Sequence, residues 1–288
     1  MSADSMVYDW NKRHYSASAP SIPLRRAELV DETLRDGLQA TYVASPSLED
    51  RLALVALMAR QGVNAINCGL PAARGQVNEM TLALVRAVSQ LGGGITPQCA
   101  GRTVVGDVDA ILQIAEAVGH PVEACLFLGS SRLRMDVEVW TLGYLRELTR
   151  TAIKHATSHG LPVMFVTEDT TRAHPDDLKA LFDEAIEAGA TRLCLCDTVW
   201  DAVPGGVVEL VNEVQRWLYS HQHHSVKLDF HGHMDRGLGV ANAIAALEAW
   251  VDRVHGTALG IGERAGNAPI DQLLVNLKLQ GWIDNDLS

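Results

Sequence analysis

The sequence has no CxxC pair, no apolar run long enough to cross a membrane, no excess of basic residues, and no GxGxxG turn after a strand-like segment. Each absence removes a class of protein. The five cysteines (Cys68, Cys99, Cys125, Cys194, Cys196) are odd in number and mostly lie inside apolar strand-like runs. They read as reduced, buried thiols rather than disulfides or a zinc site. A net charge of −11 argues against a nucleic-acid or anionic-membrane surface, because phosphate binding needs clustered Lys and Arg. No stretch approaches the roughly 20 apolar residues of a membrane span, and "MSADSMVYDWNKRHYSASAPSIP" lacks the apolar segment of a signal peptide. The expectation is a cytoplasmic protein whose partners are small molecules or copies of itself.

What is present is an alternation. Strand-like runs occupy about 27–34, 64–70, 94–101, 122–129, 162–169, 191–199, 226–234 and 253–262. Helical patterns lie between them, at 47–63, 76–91, 107–118, 140–158, 175–188, 205–219, 238–250 and 269–280. The first opens with Pro46, a Ser47 cap and Asp50 three residues on, and ends near Gly62. Alternating α and β with near-continuous apolar strands means a parallel sheet covered by helices. Eight such units in 288 residues favour an α/β chain closed into a (β/α)8 TIM barrel over an open doubly wound sheet. Gly92-Gly93-Gly94 reads as a helix-to-strand turn. The expected organisation is an N-terminal extension, residues 1–23, and a single catalytic barrel, residues 24–288, with no C-terminal regulatory domain.

Barrel enzymes build their sites at the C-terminal ends of the strands, and the chemically loaded residues fall there. "TLRDGLQ", "TEDTTR", "CDTVWD", "HGHMD" and "GIGERAGN" follow strands 1, 5, 6, 7 and 8. On an extended strand His231 and His233 project to one face. A metal pair and two hydrogen-bonded histidines are both open readings of that spacing. Asp36 at the end of strand 1 could add a carboxylate, since strands 1 and 7 lie close across a closed mouth, and Asn267 an amide oxygen. Such a set suits a catalytic divalent ion with open positions, and Mg²⁺, Mn²⁺, Co²⁺ and Zn²⁺ all remain candidates.

"DETLRDGLQA", "HGHMDRGLGVANAIAALEA" and "GIGERAGN" together resemble the signatures of the DRE-TIM metallolyase family, over about residues 28 to 281. That family includes 2-isopropylmalate, homocitrate and citramalate synthases and 3-hydroxy-3-methylglutaryl-CoA lyase. The resemblance implies metal ligands at Asp36, His231 and His233, with Asn267 in or next to the shell. It also implies a catalytic Arg35 that stabilises developing oxyanion charge, Glu168 in proton transfer, and Thr198 holding a 2-oxo acid carboxylate. The plain alternatives are a salt bridge from Arg35 to Glu32 or Asp36, and a structural pairing of Glu168 with Arg172. Gln39, Asn67, Asp197 and Trp200 join the substrate contacts by position. Arg134, in "SSRLRMDVEV", is similar in place to an arginine that meets a second carboxylate; a solvated loop arginine is the alternative.

The implied reaction is condensation of an acyl-CoA cosubstrate with a 2-oxo acid, in a homodimer as relatives form. Cleavage of the corresponding bond is the alternative, and a catalytically weak binding protein the second. None of the cysteines lies in the loop after strand 8 where the family's lyases carry a catalytic one, which favours the synthase branch. Against it, the chain stops soon after the eighth helix, before the helical subdomain that in the pathway synthases contributes a histidine. Two further departures stand out. Asn67 occupies the place of a family glutamate after strand 2, and an amide cannot compensate the charge of Arg35. Trp200 replaces a glycine and would fill space at the mouth. "HQHH" at 221–224 reads as a solvated loop on the opposite face, His174 and His255 have no partner spacing, and Trp140, Trp217 and Tyr219 mark packing or an interface.

Overall fold

The computed structural model describes residues 27–73 and 76–284; the expected N-terminal extension lies outside the described residues. Eight strands, β1 (Glu28–Asp31), β2 (Ala65–Asn67), β3 (Thr96–Arg102), β4 (Glu123–Gly129), β5 (Val163–Glu168), β6 (Arg192–Asp197), β7 (Lys227–Gly232) and β8 (Arg253–Gly256), pair in chain order into a closed barrel. All the pairings are parallel, and β1 closes on β8 with Val30 opposite His255. The helices are α1 (Leu48–Gln61), α2 (Gln76–Leu91), α3 (Val105–Val118), α4 (Arg132–Val137), α5 (Leu142–Ser158), α6 (Pro175–Glu187), α7 (Pro204–Ser220), α8 (Gly239–Glu248) and α9 (Ile270–Leu279). This is the expected (β/α)8 barrel, with α4 as an addition.

Local chemistry explains where elements stop. Ser47 caps α1 by accepting from the Asp50 N–H at 3.1 Å, while the Asp50 carboxylate accepts from the Ser47 N–H at 3.2 Å. Gly62 ends that helix at φ 76°, a left-handed conformation that costs glycine least. The expected strands are shorter than their apolar runs, β1, β2 and β8 most of all. β1 ends at Asp31, whose carboxylate accepts from the Thr33 N–H at 2.8 Å and turns the chain. β7 ends at Gly232, leaving His233 in an isolated antiparallel bridge with Asn267. β8 ends at Gly256 and gives way to a 3₁₀ turn at Ala258–Gly260. The expected loop after β4 instead folds into α4, capped by Ser131, whose hydroxyl accepts from the Arg134 N–H at 3.2 Å.

Two apolar layers result from strand alternation. Outward residues such as Phe165, Phe230, Leu29 and Ile66 join the helices in one large core. Inside the barrel a separate small cluster holds Cys125, Met164, Cys194 and Cys196, so the cysteines are buried thiols as expected. The N-terminal end of the barrel is ionic. Asp229 takes Arg253 Nε at 2.8 Å and Arg192 Nη1 at 2.6 Å, and Glu123 takes Arg253 Nη2 at 2.8 Å. Trp217 packs in the α6–α7 layer against Phe182, with His221 and His223 beside its ring.

Asp31 is buried, and burial pushes its carboxyl up to about 6 despite the Thr33 hydrogen bond. A folded pKa above the unfolded value means stability present at low pH and lost as pH rises toward 6. Asp31→Asn should therefore stabilise the fold relative to wild type at pH 7 to 8, by up to about 3 kcal/mol, and raise its melting temperature there, with no gain below about pH 4. Thermal melts of both proteins across that range measure the difference.

Candidate active site at the C-terminal mouth of the barrel

Where the strands end, a cavity of about 230 Å³ opens over the thiol cluster. Its floor and sides are Cys125, Met164, Cys194, Cys196, Val166, Phe127, Ala100 and Leu70. Around the rim stand Glu32, Arg35, Asp36, Gln39, Asn67, Glu168, Thr198, His231, His233, His255 and Glu263. Eight of the residues expected from sequence thus face one space, and three others join them.

The β1 turn places Glu32, Arg35 and Asp36 together, because the Arg35 and Gly37 N–H groups donate back to the Glu32 carbonyl at 3.2 and 3.0 Å. Arg35 donates Nε and Nη2 to one Glu32 oxygen at 2.9 and 2.8 Å, and its Nη1 lies 3.7 Å from Asp36. The salt-bridge reading and the catalytic reading of Arg35 are therefore compatible: the pair orients the guanidinium while its other edge faces the cavity wall. Glu32 compensates the arginine where Asn67 cannot. Burial alone would raise the Glu32 carboxyl, but Arg35 and His255 lower it to about 2.

Asp36 Oδ2 lies 3.2 Å from His231 Nε2, which lies 3.4 Å from His233 Nε2. Burial would raise the Asp36 carboxyl, yet Arg35 and the two imidazoles hold it well below the usual carboxylate range. Burial and the neighbouring His231 lower His233 to about 4, so it is neutral at physiological pH. Donor atoms of Asp36, His231 and His233 lie within 4.8 Å of one another. His233 Nδ1 and Asn267 Oδ1 are buried without hydrogen-bond partners. An ionised carboxylate, two imidazoles and an unpartnered amide oxygen next to them form a donor set that fits a divalent cation. Asn267 itself stands behind the rim, bridged to His233 and donating Nδ2 to the Ile261 carbonyl at 3.2 Å. The glycines of its loop are required: a Cβ on Gly266 would overlap the Gly260 carbonyl, and one on Gly262 the Asn267 amide. A second group, Glu32, His231 and His255, also brings its donors within 4.8 Å, but there Glu32 is engaged by Arg35.

Across the cavity, burial raises the Glu168 carboxyl above its ordinary value, opposed by Arg134 and Arg35 and assisted by Glu263. Arg172 pairs with Asp169 at 2.7 Å, so it is not the partner of Glu168. Thr198 is set by the Asp169 N–H, which donates to its hydroxyl at 2.8 Å. Asn67 accepts from the Gly69 N–H at 3.3 Å and leaves its buried Nδ2 without a partner.

Three expected substrate contacts do not line the cavity. Asp197 is buried and accepts from Thr171 Oγ1, the Asp201 and Ala202 N–H groups and Asn242 Nδ2, so its carboxylate holds the loop after β6. Trp200, at φ 54°, lies under the Arg264 guanidinium at 4.8 Å. Arg264 also donates to the Thr198 carbonyl at 2.8 Å and to Asp235 at 3.2 Å, clasping the loops after β6, β7 and β8. The half-exposed Arg134 pairs with Glu138 at 3.1 Å and passes over Gly129, where no Cβ obstructs it. Conversely, sequence spacing does not single out His255 and Glu263, which line the cavity. His255 has partners only because β1 and β7 flank β8 in the closed sheet, whereas Glu263 lies within a motif that could have flagged it.

Comparisons with known proteins agree with this architecture. The HMGL-like family model matches residues 26–288. Homocitrate synthase AksA of Methanosarcina acetivorans is 32% identical over 259 residues, covering 89% of this chain and 60% of its own. A 2-isopropylmalate synthase of Solidesulfovibrio magneticus is 33% identical over 255 residues, covering 88% and 48%. The chain spans about half the length of most of the curated relatives it matches. Among solved structures, the hydroxymethylglutaryl-CoA lyase of Pseudomonas aeruginosa superposes with a TM-score of 0.74 at 18% identity, covering 90% of this chain and 87% of that one. That of Brucella melitensis gives 0.72 at 19%, covering 89% and 92%; both show the shared fold. With a match across the whole barrel, the chain belongs to the HMGL-like family of DRE-TIM barrels, and its sequence relatives are synthases of that family.

Proposed function

We propose that this protein condenses the enolate of an acyl-CoA with the carbonyl of a 2-oxo acid, with water releasing CoA and leaving a 2-hydroxy dicarboxylic or tricarboxylic acid. The observation that carries this reading is that Arg35, the Asp36–His231–His233 group and Glu168 face one cavity. Relatives named as synthases support condensation over cleavage. Asp36, His231 and His233, with Asn267 beside them, would hold a divalent metal, which when bound polarises a carbonyl as a Lewis acid. Arg35 places a permanent positive charge beside the developing alkoxide. Thr198 and the free Nδ2 of Asn67 offer hydrogen bonds to substrate oxygens, with Gln39 at the rim. Glu168, its carboxyl raised by burial, moves the proton of the acyl α-carbon. Arg134 sits beside Glu168 as the candidate for a distal carboxylate, and Asp197 and Trp200 shape the loop that carries Thr198. A homodimer and a cytoplasmic location belong to the same reading, on the family resemblance.

Two measurements test it. Protein loaded with Mg²⁺ or Mn²⁺, given acetyl-CoA and a panel of 2-oxo acids, should release free thiol with one of the acids, and Arg35→Ala should lower kcat by about 10²–10³. Thiol release independent of the acceptor, or cleavage of 2-hydroxy acids or 3-hydroxyacyl-CoA instead, would replace this reading with hydrolysis or the lyase reaction. Separately, Asp36→Ala should weaken Mn²⁺ binding, followed by electron paramagnetic resonance, by at least about tenfold.

The pH profile gives a further expectation. Protonation of Glu168 should cut kcat on the acid side at a pH above the ordinary carboxylate range, since burial raises that group. Glu168→Gln should reduce kcat by about 10²–10⁴ and remove that limb from the residual profile. Retention of the limb in the variant would assign it to another group.

A further inference from the structure

Below the cavity rim a line of charged side chains runs down the barrel. Glu32 Oε2 takes two N–H groups of Arg35, and Glu32 Oε1 lies 3.3 Å from His255 Nδ1. His255 Nε2 lies 2.9 Å from Asp229 Oδ2, and Asp229 is held in turn by Arg253 and Arg192. Glu32, His255, Asp229 and Arg253 are all at most 3% exposed. We propose that Glu32 and His255 are positioning residues for Arg35, a chain of contacts anchored in the ionic base of the barrel that aims the guanidinium at the reacting oxygen. The proposal rests on the condensation reading above.

The geometry gives the reason. Arg35 has two carboxylates within reach, Glu32 at 2.8 Å and Asp36 at 3.7 Å. Were Glu32 neutral, the guanidinium would close on Asp36, taking up the carboxylate that faces His231 and leaving its place beside the cavity. Glu32 thus separates two tasks, holding the arginine and leaving Asp36 to the imidazoles. His255 keeps Glu32 from turning, because its ring is itself fixed between β1 and β7 by a carboxylate at each nitrogen. Charges buried this deeply are stable only when paired, and a displacement of about 1 Å at a reacting group costs about 10²-fold in rate.

The test is a double-mutant cycle on CoA release. Glu32→Gln and His255→Asn should each lower kcat by about 10- to 100-fold while KM for the 2-oxo acid moves less than about threefold. In an Arg35→Lys background, Glu32→Gln should change kcat by less than about twofold. In an Arg35→Ala background, where no guanidinium can turn to Asp36, Glu32→Gln should leave Mn²⁺ affinity within about threefold of that background. Equal falls in kcat in the wild-type and Arg35→Lys backgrounds would mean that Glu32 acts independently of Arg35, and lost Mn²⁺ binding in the Arg35→Ala background would make Glu32 a ligand; either overturns the proposal. If Glu32→Gln does not fold, Glu32→Asp keeps the charge, shortens its reach and enters the same cycle with the same expectations. A folded, metal-loaded wild type that releases no CoA with any acceptor overturns the condensation reading and this proposal with it, whereas an active wild type with additive losses overturns the proposal alone.

Discussion

The buried pair between Glu32 and Arg35 is the constraint on which the mouth of this barrel depends. Removing a guanidinium and a carboxylate from water costs several kcal/mol for each ion unless the partner and further hydrogen bonds repay it. Here the repayment is geometric, two N–H groups on one oxygen and an imidazole facing the other. Because both residues come from the same turn after β1, the pair also decides where Asp36 points. That leaves Asp36 beside His231 rather than wrapped around the arginine.

Beneath that pair the barrel interior is layered by chemistry. Branched aliphatic side chains commonly fill such interiors; this one has ions at the N-terminal end, sulfur in the middle and the site above. Glu123, Arg192, Asp229 and Arg253 satisfy one another in the base layer. Burial drives the thiols of Cys125 and Cys194 well above their ordinary range, making the middle layer inert and apolar. An apolar floor strengthens the electrostatic interactions made above it, as the proposed condensation requires. At the other edge, Trp200 and Arg264 tie three loops together, so the tryptophan that replaces a small residue is accommodated by stacking rather than by filling the cavity.

Much of the site could be read from local pattern because the barrel puts chemistry at strand ends. The spacing of His231 and His233 places them on one face, and "RD" after β1 puts Arg35 and Asp36 at the same mouth. The parts that were not legible are those made by lateral pairing. His255 carries no neighbour in sequence that explains it, yet β8 lies between β1 and β7, which supply Glu32 and Asp229 as its partners. Asp197 and Trp200 have the composition of substrate contacts, but backbone hydrogen bonds and a left-handed turn direct them into the loop instead.

The sequence by itself determined the number and order of the β/α units, favoured their closure into a barrel, and marked most of the side chains delivered to its mouth. Hydrophobic periodicity and capping act over a few residues and are written directly in the chain. Only the tertiary structure decided which carboxylate answers which cation. Asp36, Glu32 and Asp229 are alike as acids, and Arg35, Arg192 and Arg253 alike as bases. Their assignment follows from strand register and from the cost of leaving any one of them unpaired in the barrel interior.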